Sequence, residues 1–111
     1  MNRDAVYLTH ILECIDRIEH YTASGYEAFS SDTMVQDAVV RNLEIIGEAT
    51  KQLSFDLRKQ HPQIPWRRIA GMRDVLIHNY MGVDPEEVWN VVDNELEKLK
   101  EQVTAIRAAL K

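Results

Sequence analysis

The chain has 111 residues, enough for one domain but too few for two independent cores. Hydrophobic residues make up 45% of it and charged residues 28%, which are ordinary proportions for a folded globular protein. Four glycines and three prolines are too few for an all-β domain with many tight turns. The single cysteine cannot form an internal disulfide, and the sequence has neither a signal-peptide core nor an apolar run of about 20 residues. We therefore expect a single domain over 1–111 that is soluble and cytoplasmic.

The spacing of apolar residues predicts the first helix and the segment after it. Apolar side chains recur in steps of three and four over roughly 3–21, the pattern of an amphipathic helix. The next stretch, 22–31, contains a glycine and neighbouring serines, so it should hold a short helical turn at most. Two aromatic residues in this stretch, Tyr26 and Phe29, are expected to hold it against the core.

A second, longer helix is predicted from Asp32 to Leu57. Asp32 is a good N-cap residue, and the apolar residues after it cover much of the helix circumference. A helix with so broad an apolar surface is usually buried on two sides, either at the centre of a bundle or against a second subunit. Gly47 is unfavourable inside a helix, and the close approach of another helix would explain its presence.

Proline and acidic residues mark the start of the last two helices. Pro65 suits the first turn of a helix predicted over roughly 66–79. Asp84 can cap a further helix, with Pro85 at its first position and Glu87 spaced as in a capping box. A heptad-like stripe should then follow a single helix to the end of the chain: Val88, Val92, Leu96, Leu99, Val103, Ile106 and Leu110. Because no segment alternates as a strand does, the expected fold is all-α, a compact antiparallel helical bundle with four main helices.

Charge is unevenly distributed along the chain. The formal net charge is −5, yet residues 58–73 carry five arginines and lysines and no acid. Such a stretch can attract a phosphate backbone, and Arg67 and Arg68 within it are candidates for binding RNA. The alternative is a solvated connector whose cations balance the acidic helices around it.

Metal and cofactor chemistry has no support in the sequence. There is no Glu-x-x-His pair of the kind that builds a di-iron site in a helical bundle, and no His-Glu-x-x-His motif. A lone cysteine cannot build a structural zinc site, and Cys14 lies among apolar residues, where it is interpreted as a small core residue. We therefore expect no metal and no cofactor.

The best candidates for catalytic residues are Arg73 and His78, near the end of the third predicted helix. Five positions separate them, so they lie roughly 140° apart around the helix and about 7.5 Å apart along it. A two-fold dimer could bring both pairs into one cleft. Histidine moves protons near neutral pH and arginine binds phosphate oxygens, a combination suited to metal-free RNA cleavage by the 2′-hydroxyl. Alternatively, Arg73 pairs with an acid and His78 with a backbone carbonyl in a purely structural network.

A resemblance favours the first interpretation. The spacing Arg73-x4-His78-x-Tyr80 matches the Arg-x4-His-x-Tyr motif of HEPN-domain proteins, and the chain resembles the HepT-like branch of that superfamily over roughly 5–108. Flanking stretches that share the resemblance are 36–41, 45–49, 65–73 and 83–89.

The resemblance implies a function and roles for individual residues. Members of the family are small helical toxins of prokaryotic, type VII-like toxin–antitoxin pairs, typically dimeric and metal-independent ribonucleases. The partner antitoxin resembles a minimal nucleotidyltransferase, which can attach AMP to the motif tyrosine. Arg73 and His78 would then be the catalytic pair and Tyr80 the modified residue, while Asp74 and Asn79 would have supporting roles.

A different class of function remains open. The chain could be a non-catalytic helical module that binds a nucleotidyltransferase or a nucleotide, with the motif only shaping that surface. An enzyme needs Arg73 and His78 exposed in one cleft, whereas a binding module needs an exposed apolar face and tolerates their burial.

Overall fold

The structure is a computed structural model and describes residues 2–72, 74 and 84–110. Within these ranges no residue is in a β-strand, so the expected all-α fold is confirmed. No helix in the described ranges is long and apolar enough to cross a membrane. The helices are α1 (Arg3–Tyr21), α2 (Tyr26–Ser30), α3 (Thr33–Gln52), α4 (Phe55–Gln60), α5 (Trp66–Ala70), α6 (Pro85–Asn94) and α7 (Leu96–Ala109).

Helices α1 and α3 form the centre of the bundle. α1 begins after Asn2, whose side chain accepts hydrogen bonds from the next backbone N–H groups, and its bounds confirm the helix predicted over 3–21. One face of α1 is buried, and α1 packs most extensively against α3 and then against α7. Cys14 lies on this buried face, as predicted. α3 also packs against α5, so it is covered on two sides.

The segment between α1 and α3 contains the single short helix α2. Phe29 is only 1% exposed and belongs to the core, as expected. Tyr26 is exposed, so it does not pin the segment by burial. Its ring instead packs edge-on against Trp89 of α6 at 5.5 Å between centroids, and Phe29 contacts the same indole at 5.4 Å. α2 is therefore attached to α6 through aromatic contacts.

The helix predicted from Asp32 to Leu57 is two helices, so this prediction is wrong in its second half. Asp32 caps α3 as expected, but the backbone becomes extended at Leu53 and Ser54, and α4 starts afresh. Asp4 accepts hydrogen bonds from the backbone N–H of Ser54 at 2.8 Å and from its hydroxyl at 2.7 Å. Leu53 and Leu57 lie on the two sides of the break, and both are buried. The spacing of apolar residues therefore continues across the break and does not reveal it.

The approach of α5 to α3 explains the glycine in α3. A methyl group added at Gly47 would lie 3.1 Å from the carbonyl oxygens of both Ile69 and Ala70. Gly47 therefore allows the end of α5 to lie directly against the backbone of α3, as its position in a helix had predicted.

The third predicted helix is described only in its first part. Pro65 precedes the first helical residue, Trp66, instead of lying in the first turn. α5 ends at Ala70, and Met72 and Asp74 are helical again after a turn at Gly71. The remainder of the helix predicted over 66–79 lies outside the described residues.

The last predicted helix is also divided in two. Asp84 caps α6 as expected, accepting from the N–H of Glu86 at 3.0 Å, with Pro85 as the first helical residue. A turn at Glu95 then separates α6 from α7. Val91 and Leu96 are both buried. On one straight helix, residues five positions apart in the sequence would point in directions about 140° apart. The turn brings both into one core, and the heptad-like pattern did not reveal it.

Substituting Gly47 with alanine should destabilise the protein. The added methyl group must displace two backbone oxygens, which we expect to outweigh the better helix propensity of alanine and to lower the free energy of unfolding by about 1 kcal/mol. Gly71→Ala is the matched control, because its added methyl group would lie 3.4 Å from the nearest oxygen, within a few tenths of an ångström of ordinary contact. Urea unfolding followed by circular dichroism measures both. Equal stability of Gly47→Ala and the unsubstituted protein would contradict the close packing of α3 and α5.

Candidate functional site

In the sequence, the motif residues lie between two stretches that pack well in the bundle. Arg73, His78, Asn79 and Tyr80 are outside the described residues, so their geometry and roles stay predictions. The residues on both sides of 73–83 are described, and they define where the segment begins and ends.

On the entry side, α5 is anchored by its buried side chains and by one indole. Trp66, Ile69 and Met72 are buried. The indole N–H of Trp66 donates to the carbonyl oxygens of Arg58 at 3.2 Å and His61 at 3.0 Å. These bonds connect the start of α5 to the end of α4. Met72, the residue before Arg73 in the sequence, belongs to the core.

After the motif in the sequence, the described chain resumes at the capped start of α6. Asp84 satisfies a backbone N–H of the first turn, and Val88 one turn later is fully buried. A cap of this kind contributes about 1 kcal/mol to stability. The helix that follows the motif in the sequence, four residues after Tyr80, therefore has a stable start.

Asp74 is the one predicted site residue of the core motif that the structure describes. It is helical and exposed, and its backbone N–H donates to the carbonyl oxygen of Gly71 at 3.0 Å. An exposed carboxylate next to Arg73 in sequence is compatible with the supporting role that the resemblance implies.

The two arginines predicted to bind RNA differ in their surroundings. Both are exposed. Arg68 forms a bidentate pair with Glu95, with Nε···Oε1 at 2.8 Å and Nη2···Oε2 at 2.6 Å. Hydrogen bonding to this carboxylate, and then its charge, raises the pKa of Arg68. Arg67 makes no hydrogen bond or ion pair with any other described residue, so its guanidinium is available to a ligand.

The ion pair between Arg68 and Glu95 is a contact that the sequence did not predict. The residues are 27 positions apart, and no local pattern marks Glu95 as a partner. The bond joins α5 to the turn between α6 and α7, at the point where the predicted single helix is interrupted. Exposed ion pairs contribute at most about 1 kcal/mol, so the role of this one is chiefly to orient Arg68.

A cleft of about 130 Å³ adjoins this ion pair, between α5 and the α6–α7 turn. Its walls are apolar, from Ile69, Met72 and Leu99, and the side chains of Gln63 and Asn94 also line it. Met72, which precedes the motif in the sequence, forms part of its wall. Small apolar clefts with a few polar groups are the common form of ligand sites.

The described residues contain no metal-binding cluster. Across 2–72, 74 and 84–110, no three histidine, cysteine, aspartate or glutamate side chains are grouped so that they could hold a metal ion. Burial raises the pKa of the Cys14 thiol, which keeps it protonated and unsuited to nucleophilic attack.

Comparison with known proteins identifies the family. Residues 11–106 match the family described as Ribonuclease HepT-like. A protein of Thermococcus cleftensis named "Probable ribonuclease HepT" is 45% identical over 102 residues, which cover 91% of this chain and 93% of that protein. The "mRNA nuclease HepT" of Shewanella oneidensis is 25% identical, covering 88% and 91%. The chain therefore belongs to the HepT-like ribonuclease family.

One relative is a longer protein. A protein of Methanocaldococcus jannaschii that is named in part as a gamma-glutamylcyclotransferase is 46% identical over 112 residues. The match covers 99% of this chain and 50% of that protein, so the chain spans about half of its length. No solved structure matches the chain significantly.

Proposed function

We propose that this protein is a metal-independent endoribonuclease, the toxin of a type VII-like toxin–antitoxin pair, with Arg73 and His78 as its catalytic residues. The observation that carries the proposal is the Arg73-x4-His78-x-Tyr80 motif within a chain whose residues 11–106 match the HepT-like family. Relatives named as a ribonuclease and as an mRNA nuclease support RNA as the substrate.

The proposed reaction uses the RNA's own 2′-hydroxyl as the nucleophile. His78 accepts the proton of this hydroxyl while its oxygen forms a bond to the adjacent phosphorus. The bond from phosphorus to the 5′-oxygen breaks, and that oxygen takes up a proton. Arg73 binds the phosphate oxygens, where negative charge increases in the transition state. The products are a 2′,3′-cyclic phosphate and a 5′-hydroxyl, and no step requires a metal.

The surrounding framework supports such a site. Met72, which precedes Arg73 in the sequence, is buried, and a capped helix begins just after residue 83. Catalytic groups need a fixed position, and packed elements that adjoin a site in the sequence help to provide one. Asp74 and Asn79 are proposed to support this arrangement without taking part in the bond changes.

We also propose that the active form is a two-fold homodimer. Each protomer would then contribute one Arg73 and one His78 to a shared cleft. One imidazole could accept the proton of the 2′-hydroxyl while the other donates to the leaving oxygen.

Control of the nuclease is proposed to act through Tyr80. A partner nucleotidyltransferase would transfer AMP from ATP to the phenol oxygen of Tyr80, forming a phosphodiester and releasing pyrophosphate. The new anion lies two residues after His78 and resembles the substrate's phosphate. It would therefore occupy the cationic site and block RNA by charge and by volume.

Removing either catalytic side chain should abolish cleavage without unfolding the protein. His78→Ala should lower the rate of RNA cleavage about 10²- to 10⁴-fold, because proton transfer is lost. Arg73→Ala should lower it through weaker stabilisation of the charged transition state. The assay is cleavage of a labelled RNA in the presence of a chelator, which should leave the unsubstituted protein active.

Exposed residues of the same type provide the controls. His20→Ala and Arg107→Ala change residues on α1 and α7 and should leave cleavage unchanged. Activity that survives in His78→Ala would remove this residue from the mechanism. If the unsubstituted protein binds a nucleotidyltransferase but never cuts RNA, the non-catalytic module is the better description.

Tyr80→Phe should escape inhibition by the partner enzyme. The variant keeps the ring but lacks the oxygen that accepts AMP, so it should stay an active nuclease after incubation with a nucleotidyltransferase and ATP. Intact-mass measurement should detect one or more added AMP groups on the unsubstituted protein and none on this variant. Tyr21→Phe, which changes an exposed tyrosine of α1, should be modified normally. Equal labelling of Tyr80→Phe would place the modification elsewhere.

Light scattering at micromolar concentration should give twice the 12.9 kDa chain mass. The dimer is expected because the proposed cleft needs both protomers, so dilution that dissociates it should lower the cleavage rate per chain. A monomeric mass at concentrations where RNA is cut would contradict the shared cleft.

A further inference from the structure

Helix α4 carries an aromatic and basic face on the protein surface. Phe55 is 69% exposed at the first position of this helix, whereas Leu57 is 5% exposed and belongs to the core. Arg58 and Lys59 follow Phe55 at spacings of three and four, so the three side chains share one side of the helix. We name this surface, formed by Phe55, Arg58 and Lys59, the α4 face.

The α4 face is held in a fixed position at both of its ends. At the start, Ser54 is bound to Asp4 of α1 and accepts a hydrogen bond from the N–H of Leu57 at 3.2 Å. At the end, the carbonyl oxygen of Arg58 accepts from the indole N–H of Trp66. The Phe55 ring is therefore exposed on a backbone that is anchored to two other helices, so little ordering is needed when a ligand binds.

The basic residues of this part of the chain make few contacts with other described residues. The Lys59 ammonium lies over the Phe55 ring, 6.0 Å from its centroid. Arg58 has no ion pair with any other described residue, and its Nε is buried without a hydrogen-bond acceptor. Arg67, which is exposed and unpaired in the described part of the chain, follows the indole that is bonded to the end of α4. The acid of this helix, Asp56, is about 100° around the axis from Phe55.

We propose that the α4 face is a stacking site for an unpaired base of the RNA substrate, with Lys59 and Arg67 binding the neighbouring phosphates. Stacking of bases on exposed aromatic rings beside cations is the usual way in which proteins hold single strands. The inference rests on the proposed ribonuclease function and extends it to a substrate contact outside the motif.

Single-stranded RNA fits this surface better than a second copy of the chain does. The buried centres of interfaces between protein subunits are depleted of charged residues, lysine among them. Here one aromatic ring stands among charged and polar side chains. An anionic ligand with flat rings complements both the charge and the shape of the surface.

The proposal is tested by measuring the binding of an unstructured, fluorescently labelled RNA by fluorescence anisotropy. All variants carry His78→Ala, so that the RNA is not cleaved during the measurement. Phe55→Ala should weaken binding roughly 5- to 100-fold. Phe55→Leu should weaken it similarly because it keeps apolar volume but loses the ring, whereas Phe55→Trp should retain it. Lys59→Gln should reduce the slope of log affinity against log salt by about 0.7.

Two controls separate stacking from other effects. Met34→Ala changes an apolar residue that is 81% exposed on α3 and should leave RNA binding unchanged. A fully paired RNA duplex of equal length should bind Phe55→Ala and its parent alike, because its bases are already stacked.

The outcomes distinguish this inference from the proposed function. If the unsubstituted protein cleaves RNA but the Phe55 variants bind single strands as tightly as their parent, the inference alone is overturned. If Phe55→Leu binds like its parent, or if Phe55→Ala changes the oligomeric mass, the ring serves protein contact and the inference is overturned. If the protein does not cleave RNA but its RNA binding depends on Phe55 as stated, the proposed catalysis is wrong and the α4 face is still an RNA-binding site.

Discussion

The close contact between α3 and α5 at Gly47 fixes the end of α5, the last helix before the motif in the sequence. Without a side chain at Gly47, the carbonyl groups of Ile69 and Ala70 lie against the α3 backbone. Met72 is then buried immediately before Arg73. A larger residue at this contact would move the end of α5, which lies three residues before Arg73 in the sequence.

Two interruptions in long apolar patterns shape the surface of the described bundle. The break at Ser54 turns α4 away from the axis of α3 and presents Phe55 to solvent, while Asp4 stabilises the break with two hydrogen bonds. The turn at Glu95 lets α6 and α7 share one core and brings its carboxylate to Arg68. Both interruptions therefore place charged or aromatic groups next to the basic stretch 58–73.

The sequence predicted the elements whose causes are local. The bounds of α1, the cap at Asp32 and the start of α6 at Asp84 follow from apolar spacing and side-chain caps, which act within a few residues. The breaks at Ser54 and Glu95 were missed because their partners, Asp4 and Arg68, are distant in sequence. Likewise, the basic stretch indicated that phosphate could bind there, but only the structure distinguishes the paired Arg68 from the unpaired Arg67.

The chemistry of the cleavage products tests the central claim most directly. If His78 activates the 2′-hydroxyl without a metal, the products carry 2′,3′-cyclic phosphate and 5′-hydroxyl ends, and replacing the 2′-hydroxyl at the cut site with hydrogen abolishes cleavage. Mass spectrometry of the fragments from a defined RNA reads out both results. Fragments with 3′-hydroxyl and 5′-phosphate ends, or cleavage of the 2′-deoxy substrate, would contradict the proposed mechanism.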